Sequence, residues 1–372
     1  MDFALPPELE GLSEEAREVG RRSAANLDIR EDSWLRGTSR DFQREMASRG
    51  WLGMCWPKEW GGGGRSTLER FVVVEALISE GAPIASAWFG DRQIGPTLLQ
   101  FGSDAQRHRF LPELVAGEGA WCVGMSEPDA GSDVASIRTR AVRHGDTWVV
   151  NGQKVWTSGA AESDWCYLNA RTDPEAAPNA GLSEFIVDLH SPGVEVRPIH
   201  DMSGDRHFCE VHLSDVEVPA ALMVGVENAA FKQIMRQMEH ERGGIDRLVS
   251  NRRTYLDAVL AARERGLADD PLVRQRLARL ETGYRIGRHL VLREVLGQAP
   301  AGWSALTKTW CTEFEVEVAD FCGAIAGAAT MTWGRVARNI CYAPGYTIMG
   351  GTTQILRNIM GERMLGLPRE PR

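Results

Sequence analysis

The spacing of apolar residues changes twice along this chain and divides it into three stretches. From the start to about residue 119 the apolar positions recur at helical intervals. "SRDFQREMASRGWLGM" (39–54) carries that period, and "TLERFVVVEALISEGAP" (67–83) ends in a Gly-Ala-Pro stop. "SDAQRHRFLPELVAGEG" (103–119) opens on a serine cap and closes at glycine, and the glycine-rich "WPKEWGGGGRS" (56–66) reads as a loop. Residues 120 to about 226 alternate or run β-branched instead. "DTWVVNGQKVWTSG" (146–159) predicts two short strands around an Asn-Gly turn, and "SEFIVDLHSPGVEVRPI" and "FCEVHLSDVEVP" predict more. Turn signals about every ten residues suit a small β-barrel or sandwich. From residue 227 to the end, 372, the helical period returns. "DDPLVRQRLARLETGYRIGRHLVLREVLG" is a long amphipathic run with acids at its start, where negative charge favours a helix. "SALTKTWCTEFEVEVADFCGAIAGAA" is another such run. The expected architecture is therefore α+β and multidomain, in the order α (1–119), β (120–226), α (227–372).

Composition narrows the function classes. With 43% hydrophobic and 25% charged residues the chain reads as globular, and a formal charge of −9 argues against a nucleic-acid partner. Positive charge is almost all arginine, Lys58, Lys154, Lys232 and Lys308 being the only lysines. That scarcity reads as base composition without mechanistic meaning. Cys55, Cys122, Cys166, Cys209, Cys311, Cys322 and Cys341 form no CxxC pair, so no zinc site or disulfide framework is expected and a reducing cytoplasm is the default. The first twenty residues lack the pattern of a signal peptide, and no apolar run approaches the roughly 20 residues of a membrane helix.

Three stretches carry candidate chemistry. "GMSEPDAGSDVAS" (124–136) lies where helix gives way to strand, and its glycines and hydroxyls let backbone N–H groups approach a polar ligand. A surface turn would read the same way. In "NGQKVWTSG" an indole beside two hydroxyls could stack on a planar ring, or the tryptophan could be core. In "FKQIMRQMEHERGGIDRLV", Phe231, Ile234, Met235, Met238, Ile245 and Leu248 make an apolar stripe, and at about 100° per residue Glu241 and Arg242 fall within roughly 60° of its centre. A carboxylate there is either paired at a helix border or functional.

Together, "GMSEPDAGSDVAS", "NGQKVWTSGAAESDW", "GWLGMCWPKEWGGGG" and "GGTTQILRNIMGERMLGLP" resemble, in order and over nearly the whole chain, the acyl-CoA dehydrogenases. The resemblance implies FAD as cofactor, an acyl-CoA substrate, an electron-transfer flavoprotein as acceptor, and a C-terminal four-helix bundle. It also implies that Met125, Ser126, Gly131 and Ser132 line the flavin or the acyl-CoA. Trp156, Thr157 and Ser158 then border the isoalloxazine ring, and Gly351, Thr352 and Gln354 meet the cofactor from the C-terminal side.

Many members carry the catalytic Glu immediately before "GT" in this last segment. Gly350 stands there and cannot be a base, though its N–H can still bond the thioester carbonyl. Other members place the Glu on the first helix of the last domain, followed by Arg, which implies Glu241 as base and Arg242 as substrate-orienting or charge-balancing. The glycine at 350 suggests room for a bulky acyl group, such as a steroid side chain. The family's Arg-x-x-Phe-Gly motif is absent and its Gln-x-x-Gly-Gly motif is poorly matched by "FCGAIAGAATMTW". That leaves a homo-oligomer and a heteromer with a related subunit both open. Two other readings stand beside the dehydrogenase: a flavin monooxygenase or oxidase on the same fold, and a non-catalytic partner subunit.

Overall fold

The computed structural model describes residues 5–27 and 31–369, apart from the side chains of His240 and Glu241. Among the described residues seven α-helices precede the sheet: α1 (Pro7–Ala24), α2 (Ser33–Arg36), α3 (Arg40–Ser48), α4 (Thr67–Glu80), α5 (Ala85–Phe89), α6 (Gly95–Phe101) and α7 (Asp104–Val115). The expected serine cap on α7 and glycine stop on α4 are built: Ser103 and Gln106 form a capping box, and Gly81 ends α4 at φ 81°. Ser66 and Glu69 form a second capping box, on α4, that the sequence reading did not single out. A π-helical turn, Gly90–Ile94, joins α5 to α6.

The middle region is an eight-stranded, mostly antiparallel sheet. Its strands are β1 (Trp121–Gly124), β2 (Arg140–His144), β3 (Thr147–Lys154), β4 (Trp165–Arg171), β5 (Leu182–Asp188), β6 (Val194–Ile199), β7 (Phe208–Pro219) and β8 (Met223–Val224). They run in the order β6-β7-β3-β2-β4-β5-β8, with β1 paired in parallel to β4. Asn151-Gly152 is not a hairpin turn, contrary to the alternation. β3 runs straight through it, and its register against β7 shifts there. Asn151 Nδ2 donates to Asp215 Oδ1 (3.0 Å) while Asp215 N–H donates to Asn151 Oδ1 (2.9 Å), so the pair is spent on a β-bulge that locks β3 to β7. The hairpin turns one step earlier, where β2 pairs with β3 and Gly145 takes φ 60°.

Among the described residues seven α-helices follow: α8 (Phe231–Arg242), α9 (Asp246–Val249), α10 (Arg252–Glu264), α11 (Pro271–Val295), α12 (Trp303–Ala326), α13 (Arg335–Tyr346) and α14 (Thr353–Ile359). Asp270 caps α11 by accepting from the N–H groups of Leu272 and Val273. The apolar stripe predicted from Phe231 to Leu248 is split. α8 stops at Gly243-Gly244, and Ile245 and Leu248 belong to a different core from Ile234, because the two glycines redirect the chain.

The core is organised differently from the three stretches of sequence. α1 and α4 share one apolar cluster with α9, α10, α11, α12 and α13, running from Leu9 through Phe71 and Leu77 to Phe314, Phe321 and Tyr346. The sheet makes its own core with α6 and α7. A third, small cluster ties Met125, Ala130, Val134 and Ile137 to Phe231, Ile234, Met235 and Met238, and so docks α8 on the loop that follows β1.

Candidate functional site

The loop from Met125 to Thr139 is shaped by a buried ion pair. Lys154, wholly buried at the end of β3, donates to Glu127 Oε1 (2.8 Å) and to the Met125 carbonyl (3.1 Å). The Glu127 carboxylate also accepts from the N–H groups of Arg138 (2.6 Å) and Thr139 (2.9 Å). Burial alone would raise the Glu127 carboxyl, but Lys154 and these N–H groups outweigh it and hold it below its ordinary value. Burial pushes the Lys154 ammonium down, with Glu127 opposing. The loop is thus a fixed arch, closed at its base by the mutual Glu127–Ala130 backbone bonds. Met125 and Ser126 sit half-buried at its start, while Gly131 and Ser132 lie exposed, with nothing within 4 Å of a Cβ placed on Gly131.

The Ser126 carbonyl accepts from Val155 N–H (2.9 Å), which sets the next three residues beside the arch. Trp156 takes φ 59°, a left-handed conformation that bulky residues avoid, and its side chain is 57% exposed. It is therefore not a core tryptophan. Its ring meets Phe208 edge-on, centroids 5.7 Å apart, and leaves an aromatic face open. Thr157 exchanges backbone hydrogen bonds with Cys209 (3.0 and 3.2 Å), and its hydroxyl is buried without a partner among the described residues. Ser158 is half-buried beside it. A strained, open indole next to an orphaned hydroxyl fits a planar heterocycle with polar edge atoms, as in the isoalloxazine of FAD.

The third wall is the turn between α13 and α14. Gly350 (φ 67°) and Gly351 (φ 99°) adopt left-handed conformations, which is why glycine stands at both. Arg242 Nε donates to the Gly350 carbonyl (3.1 Å), and the wholly buried Lys308 donates from α12 to the Gly351 carbonyl (2.8 Å). Each bond fixes a peptide plane, and with it the direction of the next N–H. Thr352 caps α14, its hydroxyl accepting from Ile355 N–H (3.2 Å), and Gln354 is exposed on the same helix. Glu241 lies in the last turn of α8, immediately before Arg242. Its side chain falls outside the described residues.

The structure thus brings together Met125 and α8 through the small apolar cluster, and Arg242 and Gly350 through a hydrogen bond. Trp156 is linked to α13 through Phe208, whose ring lies 6.3 Å from that of Tyr342. Gly131, Ser132 and Gln354 remain at the periphery. Sequence reasoning passed over Glu127, Lys154, Lys308 and Phe208. The signal for two of them was the scarcity of lysine: two of the four lysines are wholly buried and each holds a loop of the site.

Comparison with known proteins gives the same outline. The N-terminal, middle and C-terminal domain families of the acyl-CoA dehydrogenases match residues 6–118, 122–216 and 228–365. The chain is 38% identical over 343 residues to "Acyl-CoA dehydrogenase IpdE1" of Mycobacterium tuberculosis, covering 89% of this chain and 88% of that one. It is 32% identical to a solved structure described as "Tcur3481-Tcur3483 steroid ACAD", with a TM-score of 0.90 and full coverage of both chains. The ChsE4-ChsE5 complex from Mycobacterium tuberculosis is similar at 31% identity, a TM-score of 0.85 and full coverage of both. No helix among the described residues is long and apolar enough to cross a membrane.

Proposed function

Because this chain belongs to the acyl-CoA dehydrogenase family, FAD-binding oxidoreductases that act on acyl-CoA, we propose that it catalyses α,β-dehydrogenation of a bulky acyl-CoA thioester with Glu241 as the base. The flavin, when bound, supplies the hydride acceptor. Glu241 removes the proton from the α-carbon, and the Gly350 N–H holds the thioester carbonyl as negative charge develops there. Arg242 and Lys308 keep the glycine turn in place by holding its carbonyls. The open face of Trp156 and the unpartnered Thr157 hydroxyl bind and orient the ring, with Ser158 beside them. Met125 and Ser126, at the start of the arch, line the flavin or the acyl-CoA.

The observation that carries this reading is the Arg242–Gly350 bond. It ties the residue next to Glu241 to the turn where a side-chain base is missing, so the two halves of the chemistry meet. A steroid-derived or similarly bulky acyl group is supported by the 32% identical structure described as a steroid ACAD and by the glycine at 350. Anaerobic bleaching of the flavin by a panel of straight, branched and ring-bearing acyl-CoAs tests the reaction. Bleaching in wild type and none in Glu241→Gln is expected. Equal bleaching by both would remove Glu241 from its role.

A second reading has its own support. One of the family's partner-side flavin motifs is absent and the other is poorly matched, and a similar structure is described as the ChsE4-ChsE5 complex. The chain then works with a related subunit, and flavin content should rise when the two are co-expressed. Protein that stays colourless even then would mark it as a non-catalytic partner. Rapid oxygen consumption with a reductant would favour a monooxygenase or oxidase. An electron-transfer flavoprotein is the expected acceptor of the dehydrogenase.

A further inference from the structure

We propose that Gln237 recognises the bound thioester, its buried carboxamide pairing with an uncharged oxygen-bearing group of the substrate: an amide, a ketone or a hydroxyl. The inference rests on the dehydrogenase reading above.

Gln237 is 1% exposed, and both its Oε1 and its Nε2 are buried with no hydrogen-bond partner among the described residues. A buried amide left unpaired destabilises the fold, so such groups are normally paired. Gln233, one turn earlier on the same face of α8, follows that rule: its Nε2 donates to Glu184 Oε2 (2.7 Å) and to the Val224 carbonyl (3.3 Å). The helix therefore buries two equivalent amides and pairs only one.

Position identifies what the second awaits. Gln237 precedes Glu241 by four residues, so the two lie about 40° apart on the helix and roughly 6 Å along its axis. On the dehydrogenase reading, a substrate whose α-carbon meets Glu241 lies one helical turn from Gln237. α8 packs on α12, on the π-turn Gly90–Ile94 and on α6. Arg92 on that turn binds Asp246 Oδ2 (2.7 Å) and the Gly243 carbonyl, which fixes the turn against the end of α8.

The chemistry sets the ligand class. A carboxamide offers N–H donors and one carbonyl acceptor on a neutral group, which matches a neutral C=O, C–O–H or N–H–C=O. A thioester substrate has two sources of such groups: the pantetheine amides of coenzyme A, and oxygens carried on the acyl portion.

The test uses full-length, flavin-loaded protein, wild type and Gln237→Met, which keeps the length and removes the polarity. Calorimetric affinities are measured for acetyl-CoA, 3-cyclohexylpropanoyl-CoA and 3-(4-oxocyclohexyl)propanoyl-CoA, with the thermal midpoint recorded without ligand. The expected result is an unchanged or raised midpoint together with about tenfold weaker binding, the loss of one well-made hydrogen bond. Loss on all three probes assigns the amide to pantetheine, and loss on the ketone alone assigns it to the acyl group. Gln237→Leu repeats the measurement should the methionine variant fold poorly. Equal affinities in wild type and variant for every probe would overturn the inference, as would a wild type that binds none of them. Binding without anaerobic bleaching in wild type would instead defeat the dehydrogenase reading, leaving the affinities to judge Gln237 separately.

Discussion

Lys154 and Glu127 stand 2.8 Å apart in the interior, and between them they hold five residues of the arch and strand in register: Met125, Glu127, Arg138, Thr139 and Lys154 itself. Removing one partner strands the other charge away from water. Lys154→Met should cost about 3–5 kcal/mol, and thermal midpoint and flavin content should fall together. Part of the stability should return in the double variant with Glu127→Gln, since the two substitutions remove one shared interaction. The Glu127 carboxyl is held below its ordinary 4.5. Its contribution is thus present above that pH and disappears as pH falls through the lower folded value. A wild-type acid transition that loses steepness in the double variant would register this.

Glu184 behaves in the opposite sense. Burial pushes its carboxyl up to about 7, although Gln233 and Tyr167 both donate to it. Between about pH 4.5 and 7 the folded chain keeps a proton that the unfolded chain has lost, so stability falls as pH rises across this window. The full difference is on the order of 3 kcal/mol. Glu184→Gln should raise the thermal midpoint at pH 8 and change it little at pH 4.5. Denaturation curves at the two pH values check the sign.

Glu241→Gln should retain flavin and lose turnover by several orders of magnitude, because proton abstraction and hydride loss are coupled at adjacent carbons. Stopped-flow reduction under anaerobic conditions separates this from any loss of binding. Near-normal reduction would place the base elsewhere.

Lys308→Met should leave the glycine turn without the donor to Gly351. Loss of a charged hydrogen bond of this kind is worth about 1.5–3 kcal/mol. The rate of flavin reduction should therefore fall by one to two orders of magnitude, as about 1.4 kcal/mol is tenfold. Affinity for free coenzyme A should stay close to wild type, and calorimetry beside the reduction assay tells the two effects apart.

Much of this was legible in the residues. Helix boundaries followed from the cap at Ser103 and the stop at Gly81, because capping is local chemistry written within four residues. The flavin-facing stretches were found through their resemblance, which fixed their order. Asn151-Gly152 misled because the same dipeptide serves a hairpin or a bulge, and the choice was made by Asp215, distant in sequence. The stripe on α8 was overextended because periodicity continues past Gly243-Gly244 while the backbone does not. The lysines were misread for a related reason. Burial is a tertiary property, and nothing adjacent to Lys154 or Lys308 announces it.

The large apolar cluster joins Leu9 and Phe71 to Phe321 and Tyr346, whereas the sheet closes its own core between Trp56 and Val224. During synthesis the sheet can therefore close while the last third of the polypeptide is still being made. The first four helices have no such option and must wait, with apolar surface uncovered, until the final helices leave the ribosome. A nascent chain stalled once β8 has cleared the ribosome, but before α12 is made, would accordingly display a protease-resistant centre behind a cleavable, chaperone-binding leading segment.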